Sequence, residues 1–403
     1  MYEWIPLMAN CDVAIAGAGI IGLSIARGLL ELDSDLRIHV FEKEESLAQH
    51  ASGRNSGVIH AGFYYSPNSL KAQFCLEGRD QLLRLISRNS IPFKNVGKVV
   101  DTRNPDEVTQ LEALYKRGIE NGVPLEIFEH SEIKRYEPLA KSFGPFLWSP
   151  TTSISDPIAV LDALAREVCG MGVKIIFGSK LTFDDSIKNH DVNVGSKYFI
   201  NAAGTYADRI AHVFGLVPNL TTMPFLGSYR QIDSKLLPIQ RLVYPVPHPV
   251  NPFLGVHLTL TIDGHVKIGP TAVPVIGREQ YSLKSKLSVK DFGDFIRNSF
   301  AMIKGTKHDL FAMAKYELPK LYKQNLLDEA AQMVPRVNEI KNWNSRKPGI
   351  RGQLINTSTG ELVQDFIIEH GPASTHILNA VSPGWTAGLS FGKYIAQQVI
   401  EKI

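Results

Sequence analysis

The feature that most constrains this chain is a glycine pattern near its start, Gly17-Ala18-Gly19-Ile20-Ile21-Gly22. With 32 glycines among 403 residues, chance alone gives roughly 0.2 matches of G-x-G-x-x-G, so the flanking residues decide its weight. The flanks fit. Residues 12–16 read as a short apolar strand, residues 23–32 carry a helical pattern, and residues 36–41 form a second strand ending at Glu42. A strand, a glycine turn, a helix and an acidic residue in this order make a dinucleotide-binding fingerprint. Gly17 serves the tight turn, Gly19 lets a pyrophosphate approach the backbone, and Gly22 lets the helix pack closely on the strand. The helix N-terminus offers unpaired N–H groups to the phosphates. A carboxylate at Glu42 suits ribose hydroxyls and opposes a 2′-phosphate, which argues against NADP. The pattern occurs once, whereas relaying electrons from NAD(P)H to a flavin usually needs two such sites. One dinucleotide is implied, FAD or NAD, and the motif does not choose between them.

The α/β texture returns twice downstream. Asp156-Pro157 opens a helix with Ile158, Leu161, Leu164, Ala165 and Val168 at helical spacing, and Gly170 and Gly172 stop it. Strands at 173–177 and 198–201 follow, the latter running into Ala202-Ala203-Gly204. A strand at 376–380, a turn at 382–384 and a helix at 386–400 complete the pattern. Between them, alternating segments at 255–261 and 265–268 flank Asp263-Gly264 and predict an antiparallel hairpin, hence a second domain. Residues 285–345 read as helices and polar loops. The expected fold is α/β. A discontinuous Rossmann-like domain draws on residues 8–90, 150–220 and 345–403, and an α+β substrate domain with an antiparallel sheet on 91–149 and 221–344.

Composition removes several classes. Forty-three basic against 40 acidic residues leave a charge of +3, too little for a dedicated nucleic-acid binder. Cys11, Cys75 and Cys169 stand far apart without a C-x-x-C pair, which supports neither a disulfide framework nor a metal knuckle and fits a reducing, cytoplasmic setting. No apolar run reaches the roughly 18–20 residues of a membrane span, although peripheral contact with the inner face of a membrane needs none. Residues 1–7 precede Met8 and read as an upstream-start extension.

A second small-residue cluster covers Ser52-Gly53-Arg54-Asn55-Ser56-Gly57-Val58-Ile59-His60-Ala61-Gly62-Phe63-Tyr64-Tyr65. Its glycines allow close backbone approach to a planar ligand, and His60 is a candidate general base at neutral pH. Ser382-Pro383-Gly384-Trp385-Thr386 is a small-residue turn opening a helix, able to aim N–H groups at developing negative charge.

Residues 55–71, Asn-Ser-Gly-Val-Ile-His-Ala-Gly-Phe-Tyr-Tyr-Ser-Pro-Asn-Ser-Leu-Lys, resemble the signature of the L-2-hydroxyglutarate dehydrogenase/oxidase family. That family belongs to the FAD-dependent D-amino-acid oxidase, sarcosine oxidase and glycerol-3-phosphate dehydrogenase superfamily. The resemblance continues through Asn201-Ala-Ala-Gly-Thr-Tyr-Ala-Asp208, Val243-Tyr-Pro-Val-Pro-His-Pro, Pro252-Phe-Leu-Gly-Val-His257, Gly269-Pro-Thr-Ala-Val273, Gly349-Ile-Arg-Gly-Gln353, Asp365-Phe and residues 379–386. It implies FAD, with noncovalent binding as the default. The pyrophosphate would lie at Gly17, Gly19 and Gly22, with the ribose at Glu42. The flavin would lie between Arg54, Asn55, Ser56 and Gly57 on one side and Ser382, Gly384, Trp385 and Thr386 on the other, with Gly204 beside it. The implied reaction is oxidation of a 2-hydroxy acid to the 2-oxo acid, with His60 taking the hydroxyl proton, hydride passing to flavin N5, and Arg351 holding the carboxylate. Tyr64, Tyr65 and Lys71 are further pocket candidates. The electron acceptor is oxygen, a quinone or a flavoprotein.

Two positions depart from the family pattern. Leu226, in Phe225-Leu226-Gly227-Ser228-Tyr229, stands where an arginine is usual, and Leu260-Thr261 stand where another precedes the hairpin. Each lost charge-assisted pair is worth about 1.5–3 kcal/mol, which weakens a dicarboxylate site. An amino-acid or amine oxidase, a glycerol-3-phosphate dehydrogenase-like enzyme and a non-catalytic FAD-binding subunit are the competing readings.

Overall fold

A computed structural model of the chain describes residues 11–181, 195–248, 253–282, 284–305 and 310–403. The N-terminal extension expected at residues 1–7 lies outside them.

Strand Cys11–Ala16 is buried along its whole length, as a strand covered on both faces must be. It sits inside a six-stranded sheet ordered Ile367–Gly371, Ser374–Leu378, Ser196–Asn201, Cys11–Ala16, Ile38–Phe41, Lys174–Ile176. Five of these strands run parallel, and Ile367–Gly371 closes one edge as an antiparallel hairpin partner. Helices Ile20–Leu32, Leu70–Arg88, Pro157–Gly170 and Gly384–Ile400 share one apolar core with it, through residues such as Ile25, Leu82, Leu164 and Phe391. Asp156 caps its helix as its position predicts, accepting from the Ile158 and Ala159 N–H groups.

Parallel strands place the N-termini of Ile20–Leu32 and Gly384–Ile400 at the same edge of this sheet. The two helices also pack very tightly, since a Cβ on Gly392 would stand 2.4 Å from that of Ser24. Their N-termini thus meet at the carboxyl edge, where open α/β sheets bind ligands.

A ten-stranded sheet forms the second layer. Leu220–Asp233 pairs with His265–Gly269, which pairs with His257–Leu260, then Leu242–Pro245, Lys98–Asp101, Phe146–Ser149 and Glu126–Phe128. The hairpin forms where Asp263-Gly264 predicts it, with Gly264 at φ +80°. The sheet is antiparallel except between Leu242–Pro245 and Lys98–Asp101. One face, including Val99, Val243, Leu258 and Val266, packs on Leu326, Leu327 and Ala330 of helix Lys323–Ala331. Alternation puts Lys98, Tyr244, His257, Thr259 and Lys267 on the opposite face.

The boundary expected at residue 345 is displaced. Strand Asn344–Asn356 pairs along its length with Leu220–Asp233 and carries Glu361–Leu362 on its other side, so both belong to the large sheet. Lys347, Pro348 and Gly349 interrupt its local strand pattern, and the long partner strand overrides that interruption. A small sheet of Val58–Ile59, Ser153–Ser155 and Phe93–Asn95 holds the loop that enters between the layers.

Candidate active site

The glycine turn has the geometry its spacing predicts. Gly17 adopts φ +102°, and a Cβ there would stand 2.6 Å from the Ala202 carbonyl oxygen. A Cβ on Gly22 would lie 2.0 Å from the Gly17 oxygen, so this glycine is required for the helix to start here. A Cβ on Gly19 would meet only the Ser52 hydroxyl, at 3.1 Å. That hydroxyl accepts from Ile20 N at 3.0 Å, at the N-terminus of the helix. Glu42 closes the turn, its two carboxylate oxygens accepting from Ala18 N and Glu44 N.

Around residues 52–57 the predicted residues do different work. Asn55 turns its side chain onto its own loop, donating to the Ser52 carbonyl and accepting from Gly57 N. Gly57, at φ +72°, lets Ser155 N donate to its carbonyl. Arg54 lies over the Tyr281 ring at 4.0 Å and donates to Gln49 and Pro348 carbonyls. Ser56 enters through its backbone, its carbonyl facing the Lys267 ammonium at 3.5 Å.

His60 stands where the layers meet the C-terminal turn. Its N–H donates to Thr386 Oγ1 at 3.2 Å, and Thr386 donates in turn to the Val58 carbonyl. The ring is half-buried with Nδ1 sealed and unpartnered, which leaves Nε2 as the open nitrogen. Burial, and then the nearby charges of Lys98 and His257, bring its pKa down to about 3. The imidazole is therefore neutral at physiological pH and holds a free lone pair. Tyr65 hydrogen-bonds Ser382, and burial pushes its phenol well above the ordinary range.

Arg351 pairs across the strands with Phe225 and lies over the Phe253 ring at 4.8 Å. Its Nε donates to Gln353, and among the described residues it has no carboxylate partner. Burial lowers its pKa to about 10, with the Tyr65 hydroxyl opposing the shift, and it stays cationic at neutral pH. Lys71 is buried, its ammonium on the Gln364 carbonyl and its own N–H on Asp365. Burial and the charge of Arg351 bring its pKa to about 7.

His60, Tyr65, Arg351, Ser382 and Thr386 thus converge, with Lys71 beside them. Trp385 does not join them: its ring packs in the apolar core of the six-stranded layer with Nε1 sealed. The Tyr64 hydroxyl is likewise sealed.

Sequence reasoning missed three basic residues and one hydroxyl. Lys98 is fully buried, its ammonium without a hydrogen bond and 4.2–5.2 Å from the rings of Tyr244, Tyr64 and Phe63. His257 donates Nδ1–H to the Gly255 carbonyl and stacks on Tyr244. Lys267, also buried, has its pKa brought to about 7 by burial and then by Arg346. Period-two alternation around the hairpin signals the shared face of His257 and Lys267. Lys98 gives no comparable signal, being one cation in an apolar run. Ser52 was legible as the small polar residue heading its cluster. Leu226 is bracketed by Val273 and Ile350 and Thr261 is held in the hairpin turn, so neither place supplies a cation.

Lys98 makes a stability prediction. Burial lowers its pKa from 10.5 to about 7, so the folded protein binds fewer protons than the unfolded chain between those values. Stability is then penalised fully below about pH 7 and recovers as pH rises toward 10. Lys98→Met removes an unpaired buried cation and is expected to raise the melting temperature at pH 6.5 by roughly 3 °C or more. Calorimetry should find the gain shrinking toward pH 10; a loss of stability at pH 6.5 refutes it.

The cofactor cradle is open where a flat ligand needs it. A Cβ on Gly204 or Gly384 would meet nothing within 4 Å. The helices starting at Ile20 and Gly384 have no capping bond from their own N-cap side chains. These features fit FAD, with phosphate at the first helix and the ring system at the second.

Comparison with known proteins points the same way. Residues 12–398 match the family model described as FAD dependent oxidoreductase. The chain is 33% identical to L-2-hydroxyglutarate dehydrogenase of Escherichia coli strain K12, covering 96% of this chain and 93% of that protein. It is 31% identical to the mitochondrial L-2-hydroxyglutarate dehydrogenase of Homo sapiens, covering 98% and 89%. Among solved structures, FAD-bound L-alpha-glycerophosphate oxidase from Mycoplasma pneumoniae superposes with a TM-score of 0.73 at 24% identity, covering 97% and 94%. Glycine oxidase from Geobacillus kaustophilus gives 0.72 at 19% identity, covering 98% and 95%.

Proposed function

Because this chain belongs to the FAD-dependent oxidoreductases, and within them to the L-2-hydroxyglutarate dehydrogenase family, we propose that it oxidises an L-2-hydroxyglutarate-like 2-hydroxy acid to the 2-oxo acid. The observation that carries this reading is one juxtaposition. Arg351 of the large sheet, without a carboxylate partner among the described residues, and His60, a neutral histidine open at Nε2, stand about the turn that starts helix Gly384–Ile400.

Bound noncovalently, FAD supplies the acceptor for two electrons and the hydride from the substrate α-carbon. The turn at Gly17, Gly19 and Gly22 would hold its pyrophosphate, and Glu42 its ribose. Arg54, Ser56, Gly57, Gly204 and the turn from Ser382 to Thr386 would border its ring. The chain's own groups do the rest. Arg351 binds the substrate carboxylate, and His60 Nε2 accepts the hydroxyl proton. Tyr65 and Ser382 brace the wall beside them, while Asn55 keeps the 52–57 loop in shape. Lys98 and Lys267, on the sheet face behind His60, give the pocket a positive field that favours acids over neutral alcohols.

The test is anaerobic mixing of the FAD-loaded protein with L-2-hydroxyglutarate, smaller 2-hydroxy acids, glycerol 3-phosphate and amino acids. Flavin absorbance should bleach at least about tenfold faster with the 2-hydroxy dicarboxylate than with any amino acid. Faster bleaching by an amino acid would overturn the substrate reading, and bleaching by none would favour a non-catalytic subunit. Reoxidation by oxygen, a quinone or a flavoprotein then identifies the acceptor. We place the enzyme in the cytoplasm, in keeping with its free cysteines. No described helix is long and apolar enough to cross a membrane.

A further inference from the structure

Four consecutive residues that follow the edge of the large sheet, Arg278-Glu279-Gln280-Tyr281, are tied to three stretches of the six-stranded layer. Arg278 is buried and donates to the Thr205 carbonyl and to both oxygens of Asp208. Glu279 pairs with Lys43 at 2.6 Å and also bonds the Tyr206 hydroxyl. The Tyr281 hydroxyl bonds His50 Nδ1 at 2.8 Å, its ring stacks on that imidazole, and the Arg54 guanidinium lies 4.0 Å over it. Gln280 turns back on its own segment, accepting from the Ile276 and Gly277 N–H groups, which fixes the shape of the loop.

The places of these ties decide what the segment does. Strand Cys11–Ala16 lies between Ser196–Asn201 and Ile38–Phe41, and all three run parallel. Residues 205–208 follow the first neighbour and residues 43–54 the second, so they leave the carboxyl edge on either side of the glycine turn at 17–22. A segment fastened to both sides spans that turn, where a dinucleotide pyrophosphate binds. The fastenings are graded. Arg278 is sealed, whereas the side chains of Lys43, Glu279 and His50 stay 26%, 35% and 32% exposed. Glu44, His50 and Glu279 bring their ligand atoms within 4.8 Å of one another, and the Lys43 ammonium stands among them. The chain thus supplies its own cation to this acidic group. We propose that residues 278–281 are a clasp that retains FAD, which rests on FAD lying in the cradle of Gly17–Gly22 and Glu42. Arg278 roots the segment, and the Glu279–Lys43 and Tyr281–His50 contacts form a solvent-facing latch that opens for the cofactor to leave.

The FAD-loaded protein is diluted and ultrafiltered at timed intervals, and flavin in the filtrate gives the release rate. Glu279→Gln removes the ion pair, and Tyr281→Phe removes the hydroxyl while keeping the ring under Arg54. Each is expected to speed release about threefold, and the double variant about tenfold, as suits partly exposed polar contacts. Added salt should speed release more from the wild type than from Glu279→Gln, because only the wild type has this ion pair to screen. A residue that served folding alone would not produce that difference. Release within about twofold of wild type in both single variants overturns the clasp, whether or not the double variant folds. An equal response to salt overturns it too. A wild-type protein that binds no FAD overturns the cofactor placement itself. Release is read without substrate, so failure of the clasp and failure of the substrate reading register in different measurements.

Discussion

His60→Ala is expected to lower the rate of anaerobic flavin reduction by about 10²–10⁴-fold while leaving the protein yellow. The magnitude is that of removing a positioned proton acceptor, and FAD is expected to be retained because the cradle proposed for it draws chiefly on residues 17–22 and 382–386. The ring's surroundings also fix a pH signature. Burial and the charges of Lys98 and His257 hold it neutral down to about pH 3. A group whose folded value is depressed in this way loses no base function as pH falls through 6.5. The second-order rate of reduction should therefore show no acid limb near 6.5 assignable to the free enzyme. Stopped-flow reduction from pH 5 to 9 measures both features. A rate within threefold of wild type in the variant would remove His60 from the chemistry.

Arg351→Met is expected to raise the apparent dissociation constant of the 2-hydroxy acid by roughly 10–150-fold, since a hydrogen bond to a charged group contributes about 1.5–3 kcal/mol. Methionine keeps the aliphatic packing on Phe253 and removes only the fork. Arg351→Lys should restore little, because a point charge does not reproduce two parallel N–H donors. The guanidinium titrates at about 10, so substrate binding through it is intact at neutral pH and is lost as pH rises through 10. Saturation of the reduction rate with substrate separates this loss of binding from a loss of chemistry. An unchanged dissociation constant would transfer carboxylate recognition to Lys71 or the residues behind it.

What the sequence disclosed follows from which interactions are local. The glycine turn, the Asp156 cap and the Asp263-Gly264 hairpin are short-range devices, and each stands where the residues predict it. His60 was readable from its small-residue cluster and Arg351 through the resemblance, and their neighbourhood depends on strands far apart in sequence. The assignment of Asn344–Asn356 failed because its pairing with Leu220–Asp233 is decided by a distant partner. Lys98 escaped for a related reason. Nothing within a few residues of it reports that three rings from two distant segments, Phe63-Tyr64 and Tyr244, surround its ammonium.

The six-stranded sheet sets a timetable for biosynthesis. Its strand at Cys11–Ala16 is synthesised long before its neighbour on one side, Ser196–Asn201, and before the next strand out, Ser374–Leu378. The helix that seals the layer ends at Ile400. All the residues between Ile20 and Gly384 must emerge before the two helix N-termini can stand side by side, because contacts this far apart in sequence form late. Until then the apolar first strand and the glycine turn wait without their partners, exposed to misassociation. The cradle proposed for the cofactor is therefore completed only once Gly384 has been made, and the first strand needs protection until then.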